Sequence, residues 1–122
     1  MKKAVLLADD EEGILALVAA TVSEDERYRV LLAHDGEEAL RVAQKELPDV
    51  LFMDVLMPKR DGYEVCRALK DGPSTRHIKV VLLTALAQEL DRKKGMDAGA
   101  DSYLTKPFSP LSLMRKLEEM LK

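Results

Sequence analysis

Short, almost unbroken apolar runs recur along this chain, at residues 4–8, 29–33, 50–53, 79–83 and, more weakly, 102–104. Their apolar residues are consecutive rather than alternating, and Val and Leu dominate. Strands buried on both faces of a parallel sheet read this way. Between and after the runs the spacing turns helical. Ile14, Leu17, Val18, Thr21 and Val22 form an i, i+3, i+4, i+7, i+8 stripe. A second helix is expected to open at Asp35, with Glu38 three residues on, and to end before Pro48. A third repeats that start with Asp61 and Glu64 and turns Val65, Cys66 and Leu69 inward. A fourth covers roughly 88–98, interrupted by Gly95. A fifth opens at Ser109 with Pro110 in its first turn, then shows Leu111, Met114, Leu117 and Leu121. Strands alternating with helices predict a doubly wound α/β sandwich. The stretch 71–77, with Gly72, Pro73 and Ser74, reads as a surface connection.

The polar residues that stop the runs carry the chemistry. Asp9 and Asp10 follow the first run, Asp54 the third, Thr84 the fourth, and Lys106 lies just past the fifth. In a parallel sheet, ligands gather beyond the carboxyl ends of the strands, so these residues should meet in one crevice. Clustered carboxylates repel, and a hard divalent cation with oxygen ligands relieves the repulsion. Mg²⁺ in turn points toward phosphate. A carboxylate attacking phosphorus must approach a dianion, and a metal with one lysine can neutralise that charge. Lysine suits a single phosphoryl oxygen as a compact point charge. The product, an acyl phosphate, is labile and would serve as a timed mark.

Plainer readings exist for each residue taken alone. Asp9 and Asp10 could be solvated charges at a helix N-terminus. Asp54 could be a turn residue, although Val55, Leu56 and Met57 follow it instead of a polar turn. Lys106 alone would be a surface lysine, Thr84 a β-former closing a strand, and Tyr103 a half-buried strand aromatic. Cys66 reads as a small core residue. His34 and His77 have no ligand spacing to anything. The run Arg92-Lys93-Lys94 reads as a solvated helix face, with a partner surface as the alternative.

Composition narrows the field. The 122 residues suffice for one domain with one core, read here as 1–122, and 47% are hydrophobic. A net charge of −3 argues against a chain built to coat nucleic acid. The single cysteine excludes an internal disulfide and fits a reducing, cytoplasmic setting. No apolar stretch approaches the ~20 residues of a membrane span. Met1-Lys2-Lys3 leads into a run too short for a signal-peptide core.

Taken together, four motifs carry a resemblance. They are Asp9-Asp10, the run from Met53 through Asp54 to Pro58 with Asp61-Gly62 behind it, Thr84-Ala85, and Lys106-Pro107-Phe108. In this order, each at a strand end, they resemble the receiver domain of two-component response regulators over about residues 3–121. The resemblance implies a flavodoxin-like (βα)5 fold with strand order 2-1-3-4-5. It implies Asp54 as phosphate acceptor, with Asp10, Asp54 and the Leu56 backbone carbonyl holding Mg²⁺ (or Mn²⁺) and Asp9 acting through water. Lys106 would pair with the phosphoryl group, Thr84 would donate its hydroxyl to it, and Tyr103 would be the aromatic switch. The Lys106–Pro107 bond would be cis. The partners implied are a histidine kinase or histidine phosphotransfer protein and a downstream target or output domain, met through the face of the fourth helix, fifth strand and fifth helix. That face could also pair two phosphorylated chains. Direct nucleic-acid or membrane binding is not expected, nor is turnover as an enzyme beyond the chain's own phosphorylation and dephosphorylation.

One departure from the common pattern concerns Leu56 and Leu86, which are apolar where a polar side chain could orient attacking water. A slowly hydrolysing phosphoaspartate is therefore expected. Three other functions fit less well. A haloacid-dehalogenase-type phosphohydrolase wants its nucleophile after the first strand and a proton donor two residues on, where Leu56 stands here. A binding module without phosphorylation would not need Asp54, Thr84 and Lys106. A flavin carrier needs a hydroxyl-rich phosphate loop where Asp9-Asp10-Glu11-Glu12 stands. The last helix reaches Lys122, so either a stand-alone receiver or a fragment of a longer regulator is expected.

Overall fold

A computed structural model describes residues 2–85 and 89–122. Five strands and five helices alternate: β1 (Lys3–Ala8), α1 (Glu12–Ser23), β2 (Tyr28–Ala33), α2 (Gly36–Glu46), β3 (Val50–Asp54), α3 (Gly62–Asp71), β4 (Lys79–Thr84), α4 (Glu89–Asp97), β5 (Ser102–Thr105) and α5 (Pro110–Met120). The strands form one parallel sheet in the order β2-β1-β3-β4-β5. This is the flavodoxin-like arrangement expected above.

Strand alternation sorts the core into two layers. Leu6, Leu51, Met53, Val80 and Leu82 point to the side covered by α2 and α3, where Ala39, Ala43, Val65, Cys66 and Leu69 meet them. Val5, Leu7, Phe52, Val81 and Leu83 point to the other side, against Leu15, Val18 and Val22 of α1 and Leu113 and Leu117 of α5. Each large side chain fully buried here contributes on the order of 1.5–3 kcal/mol. The central strands are therefore the rigid part from which the site is hung.

Each strand runs one residue beyond its apolar run. Ladder pairing, not hydrophobicity, sets the end: Asp54 pairs with Leu83, Thr84 with Thr105, and Lys3 with Tyr28. Asp54 and Thr84 thus close their strands instead of following them. The helix starts are as expected. Asp35 accepts a hydrogen bond from Glu38 N at 2.8 Å, and Asp61 accepts one from Glu64 N at 2.9 Å. Ser109 and Ser112 cap α5 reciprocally, with Pro110 in the first turn.

Two helix stripes need correction. In α1 the buried residues are Leu15, Val18 and Val22, and Leu17 is 58% exposed. In α5 they are Leu113 and Leu117, and Leu111 is 60% exposed. The stretch 71–77 is also more than a surface connection. Thr75 is buried, with its hydroxyl donating to Leu69 O at 2.6 Å. Lys70 Nζ donates to Ile78 O and to the Asp101 carboxylate, each at 2.7 Å, tying α3 to the α4–β5 turn. The start of the fourth helix, expected near Gln88, lies outside the described residues, as does Leu86.

Candidate functional site

Parallel strands end together, so the sheet delivers its terminal side chains to one edge. Asp9 and Asp10 follow β1, Asp54 ends β3, Thr84 ends β4, and Lys106 follows β5. One carboxylate oxygen from each of Asp9, Asp10 and Asp54 lies within 4.8 Å of the others. Lys106 Nζ donates to Asp54 Oδ2 at 2.8 Å and to Asp9 Oδ2 at 3.2 Å. Lys106 is held there because its own N–H donates to Thr84 O at 2.7 Å. The Lys106–Pro107 peptide is cis.

The three carboxylates are not equivalent. Asp9 is buried, and both its oxygens are engaged: Oδ1 accepts from Glu11 N at 2.9 Å, while Oδ2 faces Lys106. Asp10 is exposed. Asp54 is 8% exposed, with Oδ1 accepting from Leu56 N at 3.2 Å. Burial pushes the Asp54 carboxyl above its ordinary range; the hydrogen bond and charge of Lys106 oppose this, and the Asp9 charge adds to it. Burial also pulls the Lys106 ammonium down, but its bonds to Asp54 and Asp9 together outweigh that and leave it raised. Clustered acids around one lysine leave an excess of negative charge. An all-oxygen donor set of this kind fits a hard divalent cation, Mg²⁺ above all.

The β3–α3 segment comes close to the acceptor strand, and Gly62 makes that possible. Its N–H donates to Val55 O at 2.8 Å. A Cβ there would sit 2.8 Å from Asp54 O and 2.9 Å from Val55 Cα. This is the physical content of the Asp61-Gly62 pair singled out in the sequence.

Around the carboxylates a cleft of about 440 Å³ opens, walled by Leu56, Tyr63, Thr84 and Ala85, with Lys94 and Glu11 at its sides. Leu56 and Thr84 are expected here from the sequence, whereas Tyr63, Glu11 and Lys94 join this wall only through the fold. Leu56 is 74% exposed, at the cleft mouth. Behind Thr84 a second cavity of about 190 Å³ runs under α4, lined by Tyr63, Leu82, Gly95, Met96 and Tyr103. Tyr103 is half-buried on its edge. His34 and His77 are exposed and away from the cleft, and Cys66 is fully buried.

The sequence pattern of the response regulator receiver domain matches residues 5–118. This chain belongs to that family. It is 43% identical over 120 residues to the response regulator PleD of Caulobacter vibrioides, covering 98% of this chain and 26% of PleD. It is 41% identical over 122 residues to the alkaline phosphatase synthesis transcriptional regulatory protein PhoP of Bacillus subtilis, covering all of this chain and 50% of PhoP. The chain thus spans half or less of these two relatives. Among solved structures, the chemotaxis response regulator CheY4 of Vibrio cholerae superposes with a TM-score of 0.92 at 32% identity, covering 98% of this receiver and 99% of CheY4. The receiver domain of the sensor histidine kinase PA1611 from Pseudomonas aeruginosa, whose structure has a magnesium ion in its active-site cleft, gives 0.88 at 31%, covering 99% of this chain and 98% of that one. Membership of the family makes this receiver part of two-component, phosphorylation-dependent signalling, a switch rather than a turnover enzyme. Among the described residues no helix is long and apolar enough to cross a membrane.

Proposed function

We propose that residues 1–122 act as one receiver unit that accepts a phosphoryl group on Asp54 and passes the change to a protein partner. The observation that carries the reading is the Asp54 carboxylate held 2.8 Å from Lys106 with Asp9 and Asp10 in the same cluster, at the carboxyl edge of the sheet. An Asp54 oxygen attacks the phosphorus of an acyl phosphate or phosphohistidine donor. The P–O or P–N bond breaks, and its electron pair leaves with the carboxylate or with the imidazole, which takes up a proton. Asp10, Asp54 and the Leu56 carbonyl would hold Mg²⁺, with Asp9, already bonded to Glu11 N and Lys106, acting through water. The ion, when bound, supplies charge neutralisation between nucleophile and phosphoryl oxygens. Lys106 neutralises a further phosphoryl oxygen, and the Thr84 hydroxyl donates to the group once it is in place.

Occupancy is then read by Tyr103. Drawing Thr84 toward Asp54 vacates space beside the cavity under α4, and Tyr103 turns inward. This alters the α4-β5-α5 face, through which a target, an output domain or a second copy of the chain is recognised. The donor is a histidine kinase or histidine phosphotransfer protein in the cytoplasm. A shift of a few kcal/mol is enough to bring a minor state to dominance.

Intact-mass spectrometry with acetyl phosphate and Mg²⁺ tests the acceptor. The wild type should gain the mass of one phosphoryl group and Asp54→Asn should not, because an amide is no longer an anionic nucleophile. Undiminished labelling of Asp54→Asn would move the site elsewhere.

A further inference from the structure

The basic run in α4 read from sequence as a solvated helix face, but its lysines do not share one environment. Lys93 and Lys94 are both exposed. Lys94 lines the cleft that holds Asp54, Thr84 and Lys106; Lys93 is not part of that wall. The split has a local cause. Gly95 is buried and packs inward: a Cβ there would lie 3.2 Å from Leu82 Cδ1, a tight contact that the leucine methyl would have to ease. This closeness seats α4 on β4, so that the residue preceding Gly95 is carried along the cleft rim.

We infer that Lys94 is a second cationic arm of the cleft, which draws dianionic small-molecule phosphodonors of the acyl phosphate class toward Asp54 and sets how well they compete with phosphohistidine on a protein. This rests on the reading of Asp54 as acceptor. The charge inventory motivates it. Among the described residues, Asp10, Glu11 and Asp54 face the cleft with Asp9 clustered beside them, four carboxylates against Lys106 on the other walls, and Lys106 is already paired with Asp54 and Asp9. A dianion therefore approaches a region of excess negative charge even after one divalent ion is bound. A mobile ammonium on the rim offsets that repulsion during approach, when the donor is still outside the ligand set. A protein donor brings its own contact surface and depends less on such help. Because Lys94 is solvated and flexible, its effect belongs to encounter and binding rather than to the chemical step.

The test is the rate of Asp54 phosphorylation, followed by intact mass, as a function of donor concentration at fixed Mg²⁺ and ionic strength. Lys94→Ala, Lys94→Arg, Lys94→Glu and the control Lys93→Ala are compared with wild type. Lys94→Ala should lower the slope of rate against acetyl phosphate by about fivefold, and Lys94→Glu by more, because the field of one unit charge at this range acts on a dianion. Lys94→Arg should restore most of the slope. Lys93→Ala removes the same net charge and should change it less than about twofold. Phosphoramidate, which carries less negative charge at neutral pH, should show a smaller loss in Lys94→Ala. Equal slopes for Lys94→Ala and Lys93→Ala, or equal losses with the two donors, overturn the inference while leaving Asp54 in place. A wild type that takes no phosphoryl group at Asp54 from either donor overturns the acceptor reading, and the inference with it.

Discussion

Gly62→Ala should destabilise this receiver and slow its phosphorylation, although alanine is the better helix residue. Gly62 opens α3 and does not use the positive-φ region, so its backbone suits any residue. On conformational grounds alone alanine would stabilise by about 0.4–1 kcal/mol, by restricting the unfolded chain. Space decides against it. The new Cβ would lie 2.8 Å from Asp54 O and 2.9 Å from Val55 Cα, both backbone atoms of the acceptor strand and its exit. Neither can move like the end of a flexible side chain, and Asp54 is fixed by pairing with Leu83. Overpacking against such neighbours costs about 1–3 kcal/mol. The net is a loss of about 1–2 kcal/mol, a Tm lower by roughly 4–8 °C for a chain of this size. The strain falls on the segment that positions the acceptor, so phosphorylation by acetyl phosphate should slow by about tenfold. Gly13→Ala is the paired control. It lies in the first turn of α1, and a Cβ there meets nothing within 4 Å. It should raise Tm by a few degrees, from a gain of about 0.5–1 kcal/mol, and leave the phosphorylation rate unchanged. Thermal denaturation by circular dichroism and intact-mass kinetics read both quantities. A Tm for Gly62→Ala equal to or above the wild type, or the same sign of change in both variants, would refute the steric argument.

Three further outcomes are expected. Asp10→Asn should weaken Mg²⁺ or Mn²⁺ binding, measured by calorimetry, at least about tenfold by removing one anionic ligand; unchanged affinity would remove Asp10 from the ligand set. Leu56→Asn combined with Leu86→Glu should shorten the life of the phosphoryl mark by about tenfold, or roughly 1.4 kcal/mol of barrier, because the sequence resemblance implies that side chains at these two positions flank the phosphoryl group, where polar ones would orient attacking water; decay after donor removal that is equal or slower shows that these leucines do not set the timer. Cys66 is fully buried, and burial pushes its thiol up to about 11, so a thiol reagent at pH 8 should modify the native protein far more slowly than the urea-unfolded chain; comparable rates would mean that α3 does not pack as described.

Much of this architecture is legible in the sequence because two-sided burial leaves an unmistakable trace. The runs ending at Ala8, Met53 and Leu83 mark strands, and the polar residue after each marks the functional edge. Helix faces are less legible. In α1, Ile14, Leu15, Leu17 and Val18 are all apolar, so several stripes fit the spacing, and only packing on Leu7 and Phe52 selects the one through Leu15. In α5 the same ambiguity placed Leu111 inward in place of Leu113. Tyr63 and Lys94 entered the site unannounced, because their roles depend on how α3 and α4 sit over β4, which no local pattern encodes. Asp9 illustrates the reverse: its place in the acidic pair was plain, but its engagement by Glu11 N and Lys106, which distinguishes it from Asp10, emerges only from the fold.

Occupancy at Asp54 should change a distant face, the one formed by α4, β5 and α5. Backbone NMR of the receiver with and without beryllofluoride, a phosphoryl mimic, in the presence of Mg²⁺ tests it most directly. Shift changes are expected at Thr84 and Tyr103 that extend along α4, β5 and α5, and they should be lost in Asp54→Asn. Changes confined to the loops that touch Asp54, with α4, β5 and α5 unmoved, would contradict it.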